Sequence, residues 1–213
     1  MKPEASSTND LSAVAAYYGA KIRTHGATAQ GVDWNSEASQ NLRFSQLATI
    51  IGISEACSIN DLGCGYGAFF DYLSGRSTEF HYLGVDISPD MVAAARSRHP
   101  HDPRFDVRIG SQCPEKAHYT VASGIFNVRA DASDETWLAH LHSTIQHMDA
   151  VSTRGFAFNC LTKYSDPEFM RPDLYYADPC SLFDRCKRAY SRNVALLHDY
   201  GLFEFTILVR KDV

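Results

Sequence analysis

The stretch Asp61-Leu62-Gly63-Cys64-Gly65-Tyr66-Gly67 limits what this chain can fold into more than any other. It follows the short apolar run SINDL (58–62) and precedes AFFDYLSG, which reads as a helix. Glycine adopts backbone angles closed to other residues and lets a ligand lie against the main chain, so a tight strand–loop–helix turn is expected here. The helix start adds partial positive charge at the same place. A second carboxylate, Asp86, ends the next apolar run HYLGVDI (81–87), 19 residues beyond Gly67. An acid so placed can accept both hydroxyls of a ribose. A glycine turn alone is a weak signal, but its setting between Asp61 and Asp86 describes a nucleoside site with nothing prepared for a pyrophosphate.

From residue 52 onward, short apolar runs alternate with helical segments. Ser88 is an N-cap with Pro89 at the first helical position, where its missing N–H costs nothing. RFDVRIG (104–110) and YTVASGIF (119–126) read as strands, and 133–152 as a long amphipathic helix capped by Ser133. GFAFNCLT (155–162) is another strand, and 178–190 a helix opened by Asp178 and Pro179. The runs 193–200 and 203–211 form an antiparallel hairpin across a short glycine-containing turn. Such alternation predicts an α/β fold with a mostly parallel sheet and helices on both faces. Before residue 52 the texture is helical. Residues 11–22 place Leu11, Val14, Tyr18 and Ile22 on one face, 25–34 reads as a loop, and a second helix runs from Ser36 toward Gly52. Residues 1–10 read as a frayed tail. The 213 residues suit one domain, with a helical segment at 1–51 and a core at 52–213.

Composition narrows the function. Lys plus Arg is 20 against 25 Asp plus Glu, a net charge of −5, which argues against a nucleic-acid partner. The six cysteines form no C-x-x-C pair, so they read as reduced thiols of a cytoplasmic protein and not as a disulfide framework or an iron–sulfur site. The polar start MKPEASSTND lacks a signal-peptide core, and no apolar run is long enough to span a membrane.

D-L-G-C-G-Y-G, with YLGVDIS and Met91 in the next helix, resembles the class I S-adenosylmethionine-dependent methyltransferases. The terminal NVALLHDYGLFEFTILVRK is similar to that family's reversed last hairpin, and YYGAKIRTHGATAQGVDW with QNLRF resembles a small bacterial subgroup. The resemblance implies a Rossmann-like seven-stranded sheet with an antiparallel last strand, and S-adenosyl-L-methionine as cofactor. Position by position, it implies that Asp61 lies near the methionine end and that Gly63, Cys64 and Gly65 form the backbone the cofactor crosses. Asp86 would hold the ribose, Ile87 would pack on adenine, and Met91 would lie nearby. The turn after the third strand usually carries an Asp by the adenine amine. Here it reads Gly110-Ser111-Gln112, so Ser111 or Gln112 would accept that hydrogen bond. Gly124 would pass close to the methyl donor. The N-terminal helices would form a lid carrying Tyr18, Trp34 to close the site against water, and Arg43 to pair with the methionine carboxylate.

Within the family, the segment Ser123-Gly124-Ile125-Phe126-Asn127 lacks the prolines of enzymes that methylate adenine in nucleic acid. It also lacks the acids that hold a divalent ion, so no metal is expected. His140 and His142 point about 200° apart on a helix and read as surface or partly packed residues. The long 163–177 loop is expected to wall a pocket for a polar or anionic small molecule with Tyr164, Arg171, Tyr175 and Tyr176. Asn127, Tyr164 and His198 are the candidates for assisting the chemistry. The expected activity is methyl transfer to a small-molecule oxygen or nitrogen acceptor. Three other readings stand beside it: a nicotinamide-dependent oxidoreductase, although the third glycine comes one residue early for G-x-G-x-x-G; a protein methyltransferase; and a non-catalytic partner subunit.

Overall fold

The computed structural model describes residues 11–52, 56–76 and 79–211, so the tail expected at 1–10 lies outside the described residues. Seven strands form one sheet: β1 (Cys57–Leu62), β2 (Phe80–Asp86), β3 (Phe105–Ile109), β4 (Ala117–Ala122), β5 (Ser152–Leu161), β6 (Asn193–Leu197) and β7 (Glu204–Arg210). Their order is β3-β2-β1-β4-β5-β7-β6. The first five pair in parallel, while β7 inserts antiparallel between β5 and β6. The terminal hairpin expected from the sequence is therefore present. Chain direction across the sheet reverses between β1 and β4, and in a sheet of this type the ligand crevice opens there, beyond the carboxyl ends of the strands.

Among the described residues, six α-helices accompany the sheet: α1 (Ser12–His25), α2 (Glu37–Ala48), α3 (Ala68–Ser74), α4 (Pro89–Arg98), α5 (Asp134–Val151) and α6 (Pro179–Ala189). Their starts follow side-chain chemistry. The Ser88 hydroxyl accepts from Met91 N–H with Pro89 in the first turn, Ser133 accepts from Thr136, and Asp178 accepts from Cys180 and Ser181. Phe44 and Leu47 of α2, Phe69 and Phe70 of α3, and Val92 and Ala95 of α4 pack on one face of the sheet. Leu141, Ile145 and Met148 of α5 with Leu182 and Cys186 of α6 pack on the other. No helix separates β3 from β4. The connecting segment 110–116 covers that second face itself, with Cys113 packed in the same cluster as Leu83 and Val85. It is held by Asn60 Nδ2 donating to Glu115 O at 2.8 Å and by Cys113 N–H donating to His147 Nε2 at 3.0 Å.

Several boundaries differ from the sequence reading. The fourth strand stops at Ala122, because Gly124 turns the chain with a φ of 77°. The fifth begins at Ser152, directly on the end of α5. The sixth stops at Leu197, which leaves His198 in the turn, and α2 ends at Ala48 instead of running toward Gly52.

Candidate active site

The glycine turn is built against the end of β2. The N–H groups of Gly63 and Cys64 both donate to Val85 O, at 2.7 and 3.2 Å. Gly63 and Gly65 adopt φ of 75° and 54°, a region that side chains rarely tolerate. Asp86 ties the turn to the next helix: its Oδ2 accepts from Gly65 N–H at 2.9 Å and its Oδ1 from Ser88 N–H at 2.8 Å. Burial pushes the Asp86 carboxyl above the usual range, and those two N–H groups oppose the shift. Asp61 is buried at the end of β1 and accepts from the Tyr82 hydroxyl at 2.5 Å. Burial pushes its carboxyl up to about 7, opposed by the Tyr82 hydroxyl and aided by the charge of Asp86. Neither acid has an ion-pair partner among the described residues.

These groups border a cleft of about 970 Å³, its open mouth included. From the core, Asp61, Gly63, Cys64, Gly65, Asp86, Ile87, Met91, Ser111 and Gly124 line it, and from the N-terminal segment Tyr18 and Trp34 do. The structure therefore gathers most of the sequence-derived cofactor residues around one space. Gln112 is exposed and stands outside it.

The N-terminal segment sits directly over the turn. A Cβ placed on Gly124 would lie 2.5 Å from Cζ2 of Trp34, and one on Gly65 would lie 3.1 Å from a methyl of Val32. Arg43 plays a different part from the one expected. Its Nε donates to Glu204 Oε2 at 2.7 Å, its Nη1 donates to Ser39 O, and its guanidinium stacks on the Trp34 ring at 4.0 Å. The charge is taken up inside the protein, and Arg43 does not line the cleft; it holds Trp34 over Gly124.

The acceptor wall expected from 163–177 is likewise elsewhere. Tyr164 is 59% exposed and packs on the His198 ring. Arg171 pairs with Asp173 and reaches Tyr17 and Asp33, so this loop braces the N-terminal segment. The Tyr176 hydroxyl accepts from Arg171 N–H, and Tyr175 packs against the α5–α6 core. Asn127 is buried and structural: its Oδ1 accepts from Leu161 N–H and its backbone carbonyl from Tyr175 N–H. His198 is exposed and also rests on Phe205. None of these residues lines the cleft.

Residues missed by the sequence reading include three from α5. Trp137, His140 and Thr144 line the cleft. His140 is thus part of the site and not merely a surface residue, and burial pushes its pKa down. The signal was present, since positions 137, 140 and 144 fall on one helical face. From α2, Gln40 and Phe44 complete the roof, with Gln40 Oε1 accepting from the Tyr66 hydroxyl. The lining is mostly apolar, and no Lys or Arg occurs among its described residues. Among the described residues no three His, Cys, Asp or Glu side chains gather to hold a metal, and no helix is long and apolar enough to cross a membrane.

Comparison with known proteins gives these groups a context. A family model described as a methyltransferase domain matches residues 59–153. The chain is 56% identical over 162 residues to "Putative methyltransferase Rv1506c" of Mycobacterium tuberculosis, covering 76% of this chain and 98% of that protein. A shorter match, 36% identical over 76 residues, is to trans-aconitate 2-methyltransferase of Methylobacterium nodulans, covering 32% of this chain and 29% of that enzyme. In fold, the chain is similar to magnesium protoporphyrin IX methyltransferase from Synechocystis PCC 6803 with bound SAH. The TM-score is 0.65 at 12% identity, covering 95% of this chain and 100% of that one.

Proposed function

The chain belongs to the class I S-adenosylmethionine-dependent methyltransferases, and we propose that it methylates an oxygen or nitrogen atom of a small, uncharged molecule. The observation that carries this reading is the roof: Val32, Trp34, Gln40 and Phe44 enclose the cleft from above, which suits a small acceptor better than a nucleic acid or a folded protein. The lack of Lys and Arg among its described lining residues favours a neutral acceptor within the polar or anionic class expected with Arg171. For that reason the acid substrate of the trans-aconitate enzymes is not carried over.

The cleft suits its cofactor. Asp61 and Asp86 are buried without a cationic partner, as fits a ligand that brings positive charge of its own, and the glycine turn leaves the backbone bare where a nucleoside would lie. When bound, S-adenosylmethionine supplies an electrophilic methyl group on a sulfonium. Asp86 would hold the ribose hydroxyls, Asp61 the methionine end, and Ile87 and Met91 the apolar side of the base. Trp34 excludes water above Gly124, which supports the reading of residues up to Phe44 as a cover. Catalysis would rest on positioning, since none of Asn127, Tyr164 and His198 reaches the cleft. The six unpaired cysteines support a cytoplasmic placement.

The test uses purified protein, methyl-labelled S-adenosylmethionine and a cell extract divided by ultrafiltration into metabolites and macromolecules. Label is expected in the metabolite fraction. Label confined to protein or nucleic acid would overturn the small-molecule reading.

A further inference from the structure

The segment after β3 offers little to recognise a base. Ser111 is its one side chain on the cleft beyond Gly110, and no carboxylate stands there. Facing that segment across the cleft is α5, pinned at two points. Near its start, the Trp137 indole N–H donates to Phe126 O at 2.8 Å, beside the end of β4. Further along, His147 Nε2 accepts from Cys113 N–H at 3.0 Å, two residues after Ser111. His140 and Thr144 lie between these anchors on the face that meets the cleft. At a rise of about 1.5 Å per residue, each stands roughly 4.5 Å along the axis from its neighbouring anchor. The helix therefore presents both side chains to the cleft that Ile87, Gly110 and Ser111 also line.

Both are polar, and both are free. Neither the His140 ring nitrogens nor the Thr144 hydroxyl hydrogen-bonds to another protein group among the described residues. The contact recorded for the His140 ring is with the Trp137 ring, at 5.0 Å. Partly buried polar groups of this kind acquire a partner when a site fills. A neutral imidazole offers one donor and one acceptor, and a threonine hydroxyl offers both. The amino edge of adenine asks for that pairing: the exocyclic amine donates, and the adjacent ring nitrogens accept.

We propose that His140 and Thr144 of α5 read the amino edge of the cofactor's adenine. The proposal rests on the cofactor site described above and adds the residues that select the base. The burial that disfavours the imidazolium keeps the His140 acceptor lone pair available near neutral pH.

Calorimetry with S-adenosylhomocysteine and S-inosylhomocysteine, in which a carbonyl replaces the amine, tests it without turnover. The wild-type protein is expected to prefer the adenosyl ligand by roughly 10–100-fold, the scale of two hydrogen bonds and their mispairing. Thr144→Val keeps shape, and His140→Phe keeps an aromatic ring beside Trp137. Each is expected to cut the preference several-fold by weakening the adenosyl ligand alone, and together they should bring it within about 3-fold. Equal weakening of both ligands would mean packing and would overturn the proposal, as would an unchanged preference or a wild-type protein indifferent to the base. If the wild type binds neither ligand, the cofactor site itself is refuted. Thermal melts of each variant separate loss of fold from loss of recognition.

Discussion

Replacing Arg43 by Met should destabilise the protein far more than its place in a surface helix suggests. The guanidinium meets Glu204 Oε2 at 2.7 Å, with side chains only 9% and 1% exposed, which corresponds to a Coulomb attraction of about 6 kcal/mol at an effective dielectric constant near 20. The other Glu204 oxygen is buried with no hydrogen-bond partner, so the carboxylate depends on Arg43 alone. Methionine keeps the stem that packs on Trp34 but leaves a buried, uncompensated charge, which costs about 3–5 kcal/mol. Adding Glu204→Leu removes that charge and should restore at least half of the loss, because two apolar groups of similar volume often match a buried ion pair. Urea unfolding of wild type, Arg43→Met and the double variant reads these differences directly. If the single variant falls within about 1 kcal/mol of wild type, or the double is no better than the single, the pair does not carry the roof as argued.

Asp86→Ala should weaken S-adenosylmethionine binding by about 1.5–3 kcal/mol, as expected for lost hydrogen bonds to a charged acceptor. Calorimetry on a variant that still melts cooperatively would show it, and unchanged affinity would remove Asp86 from the ribose. Asp61 carries a pH signature. Its folded pKa of about 7 exceeds the ordinary 3.8, so the folded state holds the proton more tightly than the unfolded chain does between those values. This group's contribution is fully favourable below about pH 4 and is lost as pH rises toward about 7. In Asp61→Asn that decline should vanish, so the variant gains on wild type between about pH 5 and about pH 8; parallel urea profiles would show that the carboxyl is not desolvated.

What could be read from the sequence was local chemistry. Ser88-Pro89 and Ser133 start helices because a hydroxyl and a missing N–H act within one turn of chain. The glycine turn and Asp86 meet because a strand–helix–strand unit returns the chain to a fixed neighbour. The antiparallel insertion of β7 was legible from the hairpin and the family resemblance. The partner of Arg43 was not legible, since Glu204 lies 161 residues away and nothing near Arg43 signals it. That Arg171 and the tyrosines of 163–177 stand apart from the cleft was not legible, because composition does not say which way a loop folds. Conversely, the helical face of His140 and Thr144 could be read, but not the crevice it meets. That follows from 110–116 crossing without a helix and leaving α5 to face the end of β3.

Val32 and Trp34 rest in the two hollows that Gly65 and Gly124 leave by having no side chains. One short segment would thereby stand over both ends of the proposed cofactor, the nucleoside at Gly65 and the methyl donor at Gly124. If the segment is the cover proposed above, lifting it would uncover both ends together, and entry and exit there would not be separate events. An enzyme with one such door works by strict succession. The methyl donor would enter before the acceptor is sealed in, and the demethylated cofactor would wait for the same opening that admits its replacement. The tempo of turnover would follow the movement of Val32 and Trp34 more than the ease of the transfer they cover.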